Sequence, residues 1–276
     1  MGKRHRDSLQ RLRSQSVHGE RGRRMLTLLR AAIRKLRARR GSVMQQGIGK
    51  GLRFHPGPSN PAYARGDNEM PVQQAIARAV VPGAVVYDIG ANVGFFTVLF
   101  ARLVGSTGRV LAFEPVPANA SLVRANAGRN GFAQVAVHEW AVSDSCGEAE
   151  LWVAAFAGGS ALVEAAKPPD AVSKIRVRTV SVDSMVFGRK MPVPDFVKID
   201  VEGAEENVLR GMQKTLSKHR PTLVYEIDAK EQGECERRSR ACQDMLKRHR
   251  YRVERLDDSY HSPSWTVRHY LGVPQA

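Results

Sequence analysis

Short apolar runs alternate with helix-spaced apolar residues along most of this chain. Val85–Asp88 is an apolar β-run that closes on an acid. Phe95–Leu103 has the length and apolar content of a helix, and Gly105 breaks it. Val110–Glu114 is a second strand, Ala118–Asn130 a helix ended by Gly131, and Val135–Trp140 a third strand. Ahead of these, Pro71–Val81 places Val72, Ala75, Ile76 and Ala79 at helical spacing after a first-turn proline. This βαβαβ order predicts an α/β fold with a mostly parallel sheet and helices on both faces.

The middle of the chain has a different period. Glu148–Phe156 and Ile175–Val182 alternate apolar and polar residues, as half-exposed antiparallel strands do. The parallel pattern then resumes with strand Phe196–Val201, helix Ala204–Leu216, strand Thr222–Ile227 and helix Glu236–His249. Arg252–Leu256 and Thr266–Gly272 read as an antiparallel edge hairpin. Gly41–Asn60 carries repeated Gly and Pro and reads as a linker, leaving 61–276 as the globular domain.

Charge divides the chain in two. The net charge is +16 over 276 residues, but residues 1–40 alone hold 14 Lys and Arg against Asp7 and Glu20. The remainder carries 29 basic and 25 acidic residues, so the basicity belongs to an arm. Residues 1–24 lack apolar period and read as disordered. In 25–40, Leu26, Leu29, Ile33 and Leu36 form one apolar stripe among arginines. That stripe fits a helix lying on an anionic membrane or an acidic partner, a solvated helix packed on the body, or a leader to a start at Met25 or Met44. No apolar run reaches the roughly 18 residues of a membrane span. Three cysteines without metal spacing fit a reducing, cytoplasmic compartment, with peripheral contact at the inner membrane surface as an extension through the arm.

Candidate chemistry gathers at strand ends. Asp88, Glu114, Asp200 and Glu226 each close an apolar run, and ligands of open α/β sheets bind beyond the carboxyl ends of the strands. Between the first strand and its helix, Gly90-Ala91-Asn92-Val93-Gly94 forms a tight turn that lets the backbone approach a ligand. Glu114, twenty residues beyond Gly94, is placed to accept hydrogen bonds from ribose hydroxyls. In FVKIDVEGAEENVL, Lys198, Asp200 and Glu202 recur at period two, which predicts either a structural Lys–Asp pair or a polar wall for a reacting group. His138, short of its strand's end, reads as a packing residue.

YDIGANVGFFTV, AFEPVPAN, AVSD and KIDVEGAEENVLRGM, in this order, resemble the FkbM family of S-adenosylmethionine-dependent methyltransferases. The likeness runs from about Asn60 to Ile227 and leaves out the arm. It implies a Rossmann-like sheet of seven strands with a terminal antiparallel strand. It also implies S-adenosyl-L-methionine as cofactor, held by Asp88, Gly90, Asn92 and Gly94 near the methionine moiety, with Glu114 on the ribose and Ala141-Val142-Ser143 facing the adenine. Asn92 stands where the general Asp-x-Gly-x-Gly-x-Gly signature has its middle glycine, and the family accommodates it. The implied reaction is methylation of a hydroxyl on a sugar, glycan, glycolipid or secondary metabolite.

Glu202 is the expected general base, since it follows the strand end; Asp200 positions the cofactor or the acceptor. Asp200 with Glu226 or Asp228 is an alternative oxygen site for Mg²⁺, which Lys198 disfavours, so no metal is expected. Asn60–Tyr63 and Gly66–Glu69 are lid candidates, and Gly158–Asp170 is the candidate for acceptor contact. A nucleic-acid methyltransferase is the alternative that the arm suggests, against the near-neutral body. An NAD(P) oxidoreductase is less consistent, because Asn92 and Phe95 break G-x-G-x-x-G.

Overall fold

A computed structural model describes residues 41–276 except 156–159, 164–167, 169 and 261–264. The arm, with the helix expected over 25–40, lies outside the described residues. The main sheet has seven strands: β3 (Val85–Ile89), β4 (Arg109–Phe113), β5 (Val135–His138), β10 (Phe196–Ile199), β11 (Thr222–Ala229), β12 (Tyr251–Arg255) and β13 (Thr266–Pro274). Their spatial order is β12-β13-β11-β10-β3-β4-β5. Every pairing is parallel except those of β13, which runs antiparallel to both β11 and β12. The last strand thus inserts between the edge strand and the rest, as the expected antiparallel closure requires.

Period-two alternation distributes the central strands between two cores. Tyr87, Ile89, Val197, Ile199, Leu223 and Tyr225 face one, covered by α7 (Gln232–Arg248), where Cys235 and Cys242 are fully buried on one helical face. Val86, Phe196 and Val224 face the other, under α2 (Met70–Ala79) and α3 (Phe95–Val104). Continuing that second face toward the carboxyl ends brings Asp88 and Lys198 into register, with Glu226 two residues further along β11, because Lys198 pairs with Asp88 and with Val224. The same alternation that buries Phe196 and Val224 therefore places charge at one end of the sheet.

Three expectations are corrected. The stretch 41–60 is not a linker: β1 (Ser42–Val43) pairs with β2 (Arg53–Phe54), and Met44 and Phe54 are buried. Phe54 packs edge-on against both Tyr63 and Phe95, so its Gly and Pro residues shape turns of a folded strap. The single strand expected over 135–140 is two. After β5, β6 (Trp140–Val142) leaves for a four-stranded sheet with β7 (Gly147–Ala154), β8 (Ala161–Leu162) and β9 (Ala171–Val180), ordered β6-β9-β7-β8. Pairing with β9 satisfies the backbone there, and Trp140 still stacks on His138 at 4.6 Å.

The helix expected over 204–216 is also two, α5 (Glu205–Arg210) and α6 (Gln213–Lys218). At the break, a Cβ on Gly211 would lie 2.1 Å from the Ser143 carbonyl oxygen, so only glycine permits the approach. Asp183 then accepts hydrogen bonds from the Lys214 and Thr215 amides, an external cap that starts α6 anew. The remaining α-helices among the described residues are α1 (Ala62–Arg65) and α4 (Pro117–Arg129), the latter with proline in its first turn. None of the helices in the described residues is long and apolar enough to cross a membrane.

Because Phe54 is fully buried, Phe54→Ala is expected to cost about 3–5 kcal/mol of unfolding free energy. Urea titration checks this; a loss under about 1 kcal/mol, the size usual for surface changes, would return 41–60 to linker status.

Candidate active site

A cavity of about 360 Å³ opens at the carboxyl ends of β3, β4, β10 and β11. Of the residues expected from sequence, Gly90, Asn92, Glu114, Ala141, Asp200 and Glu202 line it. Asp88 and Gly94 are not among its lining residues. Asp88 is fully buried beneath the turn, with Oδ2 accepting from Thr97 Oγ1 at 2.5 Å and Oδ1 unpartnered. Burial raises its carboxyl above the ordinary range, and Lys198 opposes the rise.

The turn after β3 is held from two sides. Gly90 has φ +78°, and a Cβ there would lie 1.7 Å from the Asp200 carbonyl oxygen. Only glycine lets the β3 and β10 ends approach this closely. Across the turn, Glu114 accepts the Asn92 amide at 2.8 Å and the Val116 amide at 2.9 Å. Two backbone bonds leave part of the carboxylate's acceptor capacity free for ribose hydroxyls. Burial nonetheless pushes Glu114 up to about 8, so hydroxyl donors favour its ionised form.

Beyond β10, Glu205 fastens the strand-end turn. Its Oε1 accepts the Val201 and Gly203 amides at 3.2 and 3.1 Å, and its Oε2 meets Arg238 at 2.6 Å. Burial lifts it to about 7 against the pull of Arg238. In this turn Glu202 adopts φ +52°. Glu69 (φ +49°) and Asn92 (φ +50°) share that left-handed conformation and also line the cavity. Such backbone is uncommon outside glycine and concentrates at functional sites. Burial among Asp228, Asp200 and Glu226 raises Glu202 well above the ordinary carboxyl range.

Lys198 is resolved as a paired residue: its Nζ lies 2.8 Å from Asp200 Oδ2 and 4.9 Å from the Phe96 ring centre. Three neighbouring acids, Asp200 foremost, hold its ammonium above the usual range despite burial. His138 sits in β5 between the rings of Phe113 and Trp140, outside the cavity lining. The lid candidates contribute Tyr63 and Glu69 to the wall, and the acceptor-loop candidate contributes Ser160 and Leu162. Residues 158–159, 164–167 and 169 of that loop lie outside the described residues.

Sequence reasoning missed a cluster behind this wall. His269 Nε2 lies 2.6 Å from Glu226 Oε2 and 3.3 Å from Glu69 Oε2, and Tyr260 donates its hydroxyl to Glu69 Oε1 at 2.6 Å. Among the described residues, Glu69, Glu226 and His269 are the group whose atoms are close enough to hold a metal ion. The direct contact of the imidazole with Glu226 makes the trio an ion-paired cluster, with the histidine as its cation. Hydrogen bonds and charge from both acids raise His269 to about 10, overcoming its burial. Glu226 itself rises to about 8, chiefly through burial and then Asp200. The available signal was pairing: Glu226 faces His269 directly across the β11–β13 ladder.

The strained glycine cradle, the orphaned Asp88 Oδ1 beneath it and the amide-anchored Glu114 fit a nucleoside-bearing methyl donor. Sheet order and turn together define a Rossmann-like methyltransferase domain. A family model described as the methyltransferase FkbM domain matches residues 88–253, and the chain belongs to that family. What the match defines is a methyltransferase domain over those residues.

Two curated relatives are similar over part of their length. The 31-O-demethyl-FK506 methyltransferase FkbM of Streptomyces tacrolimicus is 32% identical, over 48% of this chain and 60% of that protein. The hexuronic acid methyltransferase AglP of Haloferax volcanii is 27% identical, over 48% of this chain and 51% of that protein. The chain thus spans about half to three fifths of these relatives. A solved methyltransferase FkbM from Methylobacillus flagellatus KT aligns with TM-score 0.45 and 17% identity, over 76% of this chain and 58% of that one.

The raised histidine gives a signed expectation. A group whose folded pKa lies above its unfolded value stabilises fully below the unfolded value, and that contribution is lost as pH rises through the folded one. His269 moves from 6.5 to about 10. The stability deficit of His269→Asn should therefore be largest below about pH 6.5 and shrink toward pH 10, measured by denaturant titration of both chains across that window. An equal deficit at both ends would remove the ion-pair account.

Proposed function

We propose that this protein transfers a methyl group to a hydroxyl oxygen of a sugar, glycan, glycolipid or secondary metabolite. One observation carries the reading: Asp200 and Glu202 line the same cavity as Gly90, Asn92 and Glu114. Acids that can engage a hydroxyl thus adjoin residues suited to the donor. The activities named for the two curated relatives, a 31-O-demethyl-FK506 methyltransferase and a hexuronic acid methyltransferase, support an acceptor of this kind.

When bound, S-adenosylmethionine supplies an already activated sulfonium methyl. The chain's own work is orientation, exclusion of water and removal of the hydroxyl proton. Orientation accounts for the larger share, up to about 7–11 kcal/mol for well-aligned reactants. Glu202 receives the proton. Its carboxyl is raised by burial and neighbouring acids, which brings its basicity nearer to that of a base working at neutral pH. Asp200, tethered to Lys198, fixes the acceptor side of the donor pocket. Tyr63 and Tyr260 line the cavity beside these acids.

Glu202→Gln should lower turnover by roughly 10²–10⁴-fold while leaving donor affinity nearly intact. Calorimetric titration with S-adenosylmethionine, beside transfer of labelled methyl to lipid, polysaccharide and small-metabolite fractions, checks both halves. The wild-type rate should rise with pH through a limb above the ordinary carboxyl range, since Glu202 must lose its proton to act. Loss of donor binding in the variant would remove Glu202 from the role of base. Label only in nucleic acid would overturn the hydroxyl-acceptor reading.

A further inference from the structure

Away from the active-site cavity, the four-stranded sheet gathers two arginines on one aromatic ring. The register of β6, β7 and β9 sets Arg178 opposite both Trp140 and Glu148. Directly paired residues project to the same face of a sheet. The Arg178 guanidinium accordingly stands over the Trp140 indole, 5.3 Å from the ring centre. Arg189 reaches the same indole from a different element and stands 5.4 Å from its centre.

The backbone that places Arg189 is uncommon. It follows a π-helical turn, Ser184–Gly188, and its amide donates to the Ser184 carbonyl, five residues back, at 2.9 Å. Single π turns are rare and are frequent at functional sites. This one is fixed at its start: the Ser184 amide donates to Ser181 Oγ at 3.1 Å, and the Ser184 hydroxyl to the Ser181 carbonyl at 2.8 Å. The turn thus delivers one arginine to a ring that already carries another.

Two guanidiniums on one indole repel each other, and an exposed cation–π contact is weak. Among the described residues, neither guanidinium forms an ion pair or a hydrogen bond. Both line an open cleft of about 450 Å³ with Cys146, Gly147, Glu148 and Thr179. Glu148 is the acid of that lining, and its carboxylate lies 3.7 Å from Arg176, a third arginine. The cleft is therefore left with surplus positive charge, held on a half-buried ring and open to solvent. Cys146 senses it: hydrogen bonding to Ser184 foremost, and with it the Arg189 charge, lowers its thiol below the ordinary value.

We infer that this cleft binds a tetrahedral oxyanion, a phosphate or sulfate group, held by Arg178 and Arg189 together. Guanidinium forks match the oxygens of such groups, and two forks can take different oxygens of one tetrahedron. A planar carboxylate is satisfied by one fork. Binding here requires neither methyl donor nor acceptor. Trp140 also lines the active-site cavity, so the anion and that cavity share one side chain.

Cys235 and Cys242 are fully buried, which leaves Cys146 as the exposed thiol of the folded protein. The test alkylates the full chain with N-ethylmaleimide at fixed pH while inorganic phosphate is titrated at constant ionic strength, balanced with NaCl. Phosphate should slow alkylation of Cys146 saturably, with half the effect at or below about 1 mM, because it covers the thiol and disfavours its thiolate. Acetate should need at least about tenfold more. Arg178→Gln and Arg189→Gln should each weaken phosphate protection by about tenfold, the size of one lost charge-assisted contact, with thermal unfolding showing that both variants fold. Calorimetric titration of phosphate into the unmodified chain should return the same half-saturation. Protection that does not saturate, equal protection by acetate, or full protection retained in both variants overturns the inference. Glucose 1-phosphate separates the sources of the anion. Tighter protection by this ester assigns the cleft to a phosphate carried on a larger molecule, and tighter protection by inorganic phosphate assigns it to the free anion.

Discussion

Two buried cations hold this site together. The strand ends bring acids from β3, β10 and β11 within interacting distance, and like charges in a poorly solvated place repel strongly. Lys198 answers for Asp200 and lies near Asp88; His269 answers for Glu226 and Glu69. Neither lines the cavity, so the wall stays acidic toward a ligand while the interior stays balanced. Remove either cation and the carboxylates must take up protons or move apart.

Much of the scaffold was legible because it follows local periods. Apolar runs of both-face burial marked β3, β4, β10 and β11 within a residue or two, and Gly90 and Glu114, singled out beside them, line the cavity. Period two in Lys198-Ile199-Asp200 correctly separated a polar face from a core face, and of the two readings left open the Lys–Asp pair is present. The other reading, a polar wall, also holds in its placement, since Asp200 and Glu202 both line the cavity.

What was not legible depended on contacts between distant segments. His269 is one histidine in an alternating strand; its meaning comes from the β11–β13 register, which no local signal sets. The division of one expected helix at Gly211 comes from the Ser143 carbonyl, far away in sequence. Likewise Gly and Pro in 41–60 described turns accurately but said nothing of Phe54 finding Phe95. Composition marks where a chain bends, and only packing decides whether the bend is part of the core.

The cluster of Glu69, Glu226 and His269 also has a temporal meaning. Its members come from the segment before the first strand of the main sheet, from the middle of that sheet, and from β13, which follows every other described strand in the chain. On a ribosome, then, the donor cradle of β3 and β4 is synthesised long before the acidic wall opposite can be neutralised. Until β13 pairs with β11, Glu226 lacks its cation, so the charge balance of the strand ends is completed only by the last of the described strands.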